Sequence, residues 1–173
     1  MPELAELKLT SDYVNDCSEG AIYTSVQKSP QHKGKDLDIP FNKFRIVSES
    51  KGKELVLYIQ DIDSDVSIPI RITMGMSGHF RLSYSGQEHK HAHLKFYRKD
   101  GATLSFVDVR IFGKWTQGVA WNTGRGPDPT TEFSSFVSNI MSNLTSRTFR
   151  KPLYEVLMTQ KWFNGIGNYL RAE

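Results

Sequence analysis

At 173 residues the chain is long enough for one domain with a proper core and short for two. Its 38% apolar and 12% aromatic content excludes a disordered chain, and a net charge of +3 permits a nucleic-acid partner without demanding one. The single cysteine, Cys17, excludes an internal disulfide and a cysteine-based zinc site. No apolar run approaches the ~20 residues of a membrane helix and no signal-peptide core is present, so a soluble, intracellular protein is expected.

The chain opens "MPELAEL". A small second residue lets the initiator methionine be removed, which would leave Pro2 as a secondary amine. A free α-amino group titrates near ~8, so a useful fraction is nucleophilic at neutral pH. Glu3 and Glu6 supply carboxylates beside it, and amine plus carboxylate is the equipment of imine chemistry. Many chains begin Met-Pro without any such use, so the opening alone decides nothing.

The segment from Glu3 to about Asp16 is helix-permissive with weak apolar periodicity. Alternating, β-rich runs follow, separated by turn signals. They are "AIYTSVQKS", the hairpin "FRIVSESKGKELVLYIQ" with Gly52 at its tip, "SIPIRITM", "GHFRLSYSG", and a second hairpin, "HAHLKFYRKDGATLSFVDV", turning at Asp100-Gly101. Short strands so closely spaced predict a sandwich or barrel. After "NTGRGPDPTTE" the period changes: Phe133, Phe136, Val137, Ile140 and Leu144 recur at helical spacing. "KPLYEVLMTQ" reads as another helix with Pro152 in its first turn, "FNGIGN" breaks it, and "YLRAE" begins the next. The expected fold is therefore α+β: an N-terminal helix, an antiparallel β-sandwich over residues 1–130, and the start of a helical module over 131–173. "NYLRAE" carries no helix stop signal, so the chain reads as the front part of a longer protein.

Several segments could carry chemistry. In "NGIGNYL" two glycines free the backbone and Asn168 can cap the next helix, making a phosphate site or a plain helix–helix turn. If "HKHAHLKFY" is a strand, His89, His91, His93, Lys95 and Tyr97 share one face. That face suits a phosphate backbone, a wet polar surface or, less well, a metal ion. "DIDSD" begins like a calcium loop but fails, with Val66 where glycine is required and Ile72 where the bidentate glutamate belongs. No metal and no cofactor is called for. Lys53 follows the first hairpin tip. Met76 in "GMSG", and Arg110 and Phe112 in "DVRIFGKW", would suit DNA wedges if exposed.

Taken together, "MPELAEL", "SKGKEL", "GMSGHF", "HAHLKFY", "FVDVRIFGKW", "GRGPDP" and "FNGIGNYLRAE" resemble, in this order and from the first residue to the last, the Fpg/Nei family of base-excision DNA glycosylases. The resemblance implies a bifunctional DNA glycosylase and AP lyase that removes oxidised bases, pyrimidines in particular. Pro2 would attack C1′ of the damaged nucleotide, and the resulting iminium would allow strand cleavage by β,δ-elimination. It further implies that Glu3 is the acid that protonates the sugar ring oxygen, that Glu6 helps position the N-terminus, and that Lys53 contacts phosphate and assists proton transfer. Met76, Arg110 and Phe112 match the wedge that fills the hole left by the flipped nucleotide. Asn168 and the turn amides match the phosphate grip of a helix–two-turn–helix module, and His93 a phosphate-contacting histidine. Damaged DNA is the implied partner, the protein is expected to be a monomer, and the animal branch of the family implies a nuclear location.

Three departures stand out. Ala5 replaces a second proline, Ile111 replaces a second arginine after Arg110, and the chain ends inside the helical module. A non-catalytic damaged-DNA-binding module is the alternative, and it would not need a free Pro2.

Overall fold

The computed structural model describes residues 1–173 and opens with helix α1 (Leu4–Ser18), which buries Leu7, Ser11, Val14 and Ser18 on one face. Two of those four are serines, which is why the apolar periodicity is weak. The helix is fastened to the sheet by polar pairs instead. Ser11 Oγ meets Ser48 Oγ at 3.0 Å, and Asn15 binds the Ser48 backbone both ways, donating to its carbonyl at 2.9 Å and accepting from its N–H at 2.7 Å.

Eight strands follow: β1 (Tyr23–Lys28), β2 (Phe44–Lys51), β3 (Glu54–Asp61), β4 (Ser67–Thr73), β5 (His79–Tyr84), β6 (Ala92–Arg98), β7 (Ala102–Val107) and β8 (Lys114–Gln117). They form one antiparallel sheet in the order β5-β7-β6-β1-β2-β3-β4-β8. β1 and β2 share only the pair Tyr23↔Phe44, whose rings stack at 5.8 Å, and the sheet creases there into two layers. The fold-over is plain from Trp115 on edge strand β8, which meets Phe106 on β7 edge-on at 6.3 Å. Leu55, Leu57 and Ile59 of β3, Ile70 and Ile72 of β4, Leu94 and Phe96 of β6, and Leu104 and Phe106 of β7 fill the space between. Each fully buried side chain of this kind contributes about 1.5–3 kcal/mol. The expected sandwich is thus present, built from a single creased sheet.

Strand β8 has no counterpart in the sequence reading, because four residues are too few to display a period. The helical part follows as α2 (Phe133–Met141), a 3-10 turn (Arg147–Arg150), α3 (Leu153–Val156) and α4 (Asn168–Ala172). α2 ends before Leu144, and "KPLYEVLMTQ" yields only the four residues of α3, behind Pro152. Phe136 and Phe149 pack on Phe163, and Phe149 also on Trp162, which gathers the short helices together. No helix is long and apolar enough to cross a membrane.

Replacing Asn15 with alanine strips the Ser48 N–H and carbonyl of their partners. The expected loss is about 1–3 kcal/mol, which would lower the melting temperature by several degrees. Urea and thermal unfolding measure it, and unchanged stability would refute the polar attachment of α1.

Candidate active site

The site forms where the N-terminus, the β2–β3 hairpin tip and the turn before α4 converge. Glu3 precedes α1 in extended backbone, and its own N–H donates to Glu6 Oε2 at 2.8 Å. Its side chain is only 4% exposed. The carboxylate reaches across the chain to the first turn of α4: Oε2 accepts from the N–H groups of Gly167 (2.8 Å) and Leu170 (3.1 Å), and Oε1 from that of Tyr169 (3.0 Å). A helix N-terminus presents unpaired N–H groups and the positive end of the helix dipole, so a carboxylate is its natural occupant. Burial pushes the Glu3 carboxyl up, but the three N–H donors and nearby Lys53 outweigh it and hold the group below its ordinary value. Next door, Leu4 N–H donates to the Gly165 carbonyl at 3.1 Å, so two successive residues tie the N-terminus to this turn.

The hairpin tip enters from the other side. Lys51 and Glu54 are paired, leaving a two-residue loop in which Gly52 adopts φ +57°. Its N–H donates to Asp128 Oδ2 at 2.6 Å, and a Cβ there would lie 1.9 Å from Asn164 Oδ1. At Gly167 a Cβ would lie 2.0 Å from Glu3 Oε1 and 2.3 Å from Lys53 Nζ, so both head groups occupy the space above that glycine. Burial lowers the Lys53 pKa below its ordinary value. Glu3 and Glu6 pull it back towards the charged form, and Arg125 opposes them. Pro2 is partly buried one residue before Glu3, and Glu6 is exposed.

A buried polar frame holds these pieces. Asn164 donates to the Gly126 carbonyl at 2.8 Å; Gln160 accepts from Gly165 N–H at 3.0 Å and donates to the Ile166 carbonyl at 2.8 Å. Arg125 donates to Gln160 Oε1 at 3.0 Å, while Asp128 also accepts from Thr130 N–H at 2.7 Å. Asn164, Gln160, Arg125 and Asp128 have no place in the sequence reading. The stretches "GRGPDP" and "FNGIGN" carry part of the resemblance, but the partners lie up to 76 residues apart.

The candidate wedge residues are grouped as well. Met76 is 59% and Phe112 57% exposed, and Arg110 Nη1 approaches Met76 Sδ at 3.6 Å. Their loops touch at Gly75, where a Cβ would lie 2.8 Å from the Gly113 nitrogen. The Arg110 loop wraps around the Asp108 carboxylate, which accepts from Ser77 Oγ, Arg110 N–H (3.2 Å) and Gly113 N–H (2.7 Å).

Two expectations are corrected. Strand β6 begins at Ala92, with an irregularity between Ala92 and Leu94, so His89 and His91 lie outside it. The imidazoles of His89, His91 and His93 still follow one another, with centroids 5.6 and 6.4 Å apart, but His93 is wholly buried and its Nε2 is engaged with the Asp108 carbonyl at 2.9 Å. It presents no surface to a phosphate. No group of histidine, cysteine and carboxylate side chains able to hold a metal ion is formed. The turn amides are likewise not free: Glu3 occupies those of Gly167, Tyr169 and Leu170. Asn168 is exposed and makes no capping bond, because Glu3 fills that position.

Residues 1–115 match the formamidopyrimidine-DNA glycosylase N-terminal domain. The chain belongs to the Fpg/Nei family of DNA-repair glycosylases. It is 36% identical to Endonuclease 8-like 1 of Homo sapiens and 37% to that of Mus musculus, in each case over 100% of this chain and 46% of the relative. It is 32% identical to the formamidopyrimidine-DNA glycosylase of Legionella pneumophila (strain Lens) over 65% of this chain and 41% of the relative. The crystal structure of the MutM (Fpg) protein from Thermus thermophilus shares the fold, with a TM-score of 0.72 and 21% identity over 96% of this chain and 60% of that one. The chain therefore spans about half the length of the curated Fpg/Nei relatives it matches.

Two outcomes test this Fpg/Nei site. Gly167 has φ −131°, which any residue adopts, so Gly167→Ala acts only by crowding Glu3 and Lys53. It should loosen α4, seen as faster amide exchange at Tyr169 and Leu170; unchanged exchange would refute the shared space. Because the folded-state pKa of Glu3 is depressed, its stabilisation is fully present above the ordinary carboxylate value. It is lost as pH falls through the folded value. Asp108 and Glu132 act in the same direction: each has burial outweighed, Asp108 by Ser77 and backbone N–H groups, Glu132 chiefly by Lys51. Glu3→Gln should cost about 2–3 kcal/mol at neutral pH and less at acid pH. A pH-independent cost would contradict an ionised Glu3.

Proposed function

We propose that this chain carries the nucleophilic half of a bifunctional DNA glycosylase and AP lyase acting on oxidised bases, pyrimidines in particular. The observation that supports the reading best is the Glu3 carboxylate buried on the α4 amides with Lys53 beside it, which fixes the residue after Pro2 at the meeting point of two modules. As units these are the β-sandwich over 1–130 and the start of a helix–two-turn–helix region over 131–173.

While Met1 is attached, Pro2 nitrogen is a tertiary amide without a usable lone pair, so the chemistry begins only once Met1 is removed. Ionised Glu3 then accepts the proton of the Pro2 ammonium and delivers it to the sugar ring oxygen as the ring opens. Pro2 nitrogen bonds to C1′, the C1′–base bond breaks, and the base leaves with its electron pair and takes up a proton. A secondary amine that condenses in this way has no proton left to lose, so the product is a cationic iminium. That cation acidifies the 2′ position; loss of a 2′ proton expels the 3′ phosphate, a second elimination expels the 5′ phosphate, and water releases Pro2. Burial lowers the Lys53 pKa below its ordinary value, and from beside Glu3 its amine contacts phosphate and assists proton transfer. Glu6 anchors the Glu3 N–H and thereby the N-terminus. Met76, Arg110 and Phe112, exposed at two touching loops, fill the place of the flipped nucleotide, and Asn168 takes a phosphate at the mouth of the α4 turn. The reaction takes place in the nucleus, on damaged DNA, with the protein as a monomer.

Single-turnover excision of an oxidised pyrimidine, measured beside DNA affinity, tests the roles. Pro2→Gly and Lys53→Leu should each slow excision by at least about 100-fold, with affinity little changed in Pro2→Gly and lowered in Lys53→Leu by no more than the loss of one phosphate contact. Unimpaired excision in both would refute the mechanism. Binding without excision in the parent protein would favour the binding module.

A further inference from the structure

The wedge loop poses a mechanical problem that residues outside it solve. Residues 108–113 join β7 to β8, and Ile111 sits at φ +56°, a conformation that β-branched side chains rarely adopt. The Asp108 carboxylate secures the loop from within. From outside, two imidazoles hold the carbonyls at its two ends: His93 Nε2 meets the Asp108 carbonyl at 2.9 Å, and His32 Nε2 meets the Gly113 carbonyl at 3.1 Å. The rings lie 5.5 Å apart and form a pair of brackets.

His32 comes from the β1–β2 connection, remote from the wedge in sequence. Gly34 N–H donates to its Nδ1 at 2.9 Å, which leaves the proton on Nε2 and fixes the ring as the donor to Gly113. The ring is buried and stacked on Trp115 at 4.1 Å and 22°; Trp115 Nε1 donates to the Lys35 carbonyl at 2.8 Å. Gly34 itself has no room for a side chain, since a Cβ would lie 2.8 Å from His32 Nδ1 and 3.0 Å from Trp115. On the other ring, His93 Nε2 is engaged with the Asp108 carbonyl and Nδ1 meets no protein partner, and the ring is packed within the fold. His32 supplies one face of that packing.

We propose that His32 is a positioning residue for the wedge: by bracketing the Gly113 carbonyl it sets the pose of Arg110, Ile111 and Phe112. It thereby governs work on paired DNA, where a base must be displaced and its place filled, and not the chemistry at Pro2. The inference rests on the glycosylase reading above.

The test is single-turnover excision of one oxidised pyrimidine presented in duplex and in single-stranded DNA. His32→Leu removes the donor and should lower the duplex rate about tenfold, the effect of one lost hydrogen bond, with the single-strand rate unchanged. His32→Gln, whose amide can donate to the same carbonyl, should recover most of the duplex rate. An equal fall on both substrates, no fall on duplex, or a glutamine variant as impaired as the leucine one would overturn the proposal. A parent protein inactive on both substrates would overturn the glycosylase reading, and this inference with it.

Discussion

The structure depends on one carboxylate placed at one helix end. Glu3 satisfies three N–H groups of the α4 turn, from a position 164 to 167 residues away in sequence. Hydrogen bonds to a charged group contribute about 1.5–3 kcal/mol each, and the helix dipole adds a smaller share. Together they outweigh the cost of burying the charge, which is why the group stays ionised although hardly exposed. The consequence is geometric. The N-terminus cannot shift without unseating α4, and α4 cannot shift without exposing the N–H groups that Glu3 satisfies.

Glycines make the convergence possible. Gly52 leaves room for the Asn164 side chain and Gly167 for the Glu3 and Lys53 head groups, while a Cβ on Gly165 would lie 2.6 Å from Leu4 Cβ and 3.0 Å from Gly52 Cα. Around them Asp128, Asn164 and Gln160 satisfy the backbone groups that so tight a junction would otherwise strand, and Arg125 donates to the side chains of Gln160 and Asn164. Lys53 is thereby held beside Glu3 in partial burial, so its ammonium is harder to keep charged than a surface lysine's. The electrostatics of the pair follow from the packing.

The sheet is legible in the sequence because alternation and turn glycines are local signals: the β2–β3 and β6–β7 hairpins lie where Gly52 and Gly101 place them. Helix α1 shows weakly because Ser11 and Asn15, not leucines, fasten it. The end of α2 and the shortness of α3 escape a reading by period because tertiary packing of Phe136, Phe149, Trp162 and Phe163 overrides helical periodicity there. The proline, the carboxylates and Lys53 can be named from their stretches, since motif identity is itself local. Their arrangement cannot. The capping role that sequence gives to Asn168 belongs to Glu3, and His93 is buried beneath the loop that joins β7 to β8. In both cases a partner distant in sequence decides, and no local pattern encodes it.

On the proposed reading, this junction presents a free Pro2 to a sugar carbon. Borohydride reduction of the protein on DNA carrying a single abasic site, followed by mass spectrometry of the N-terminal peptide, tests it most directly. The expected result is a covalent adduct on Pro2 in a chain that has lost Met1. An adduct on Lys53 or another lysine, or DNA bound with no adduct at all, would contradict it.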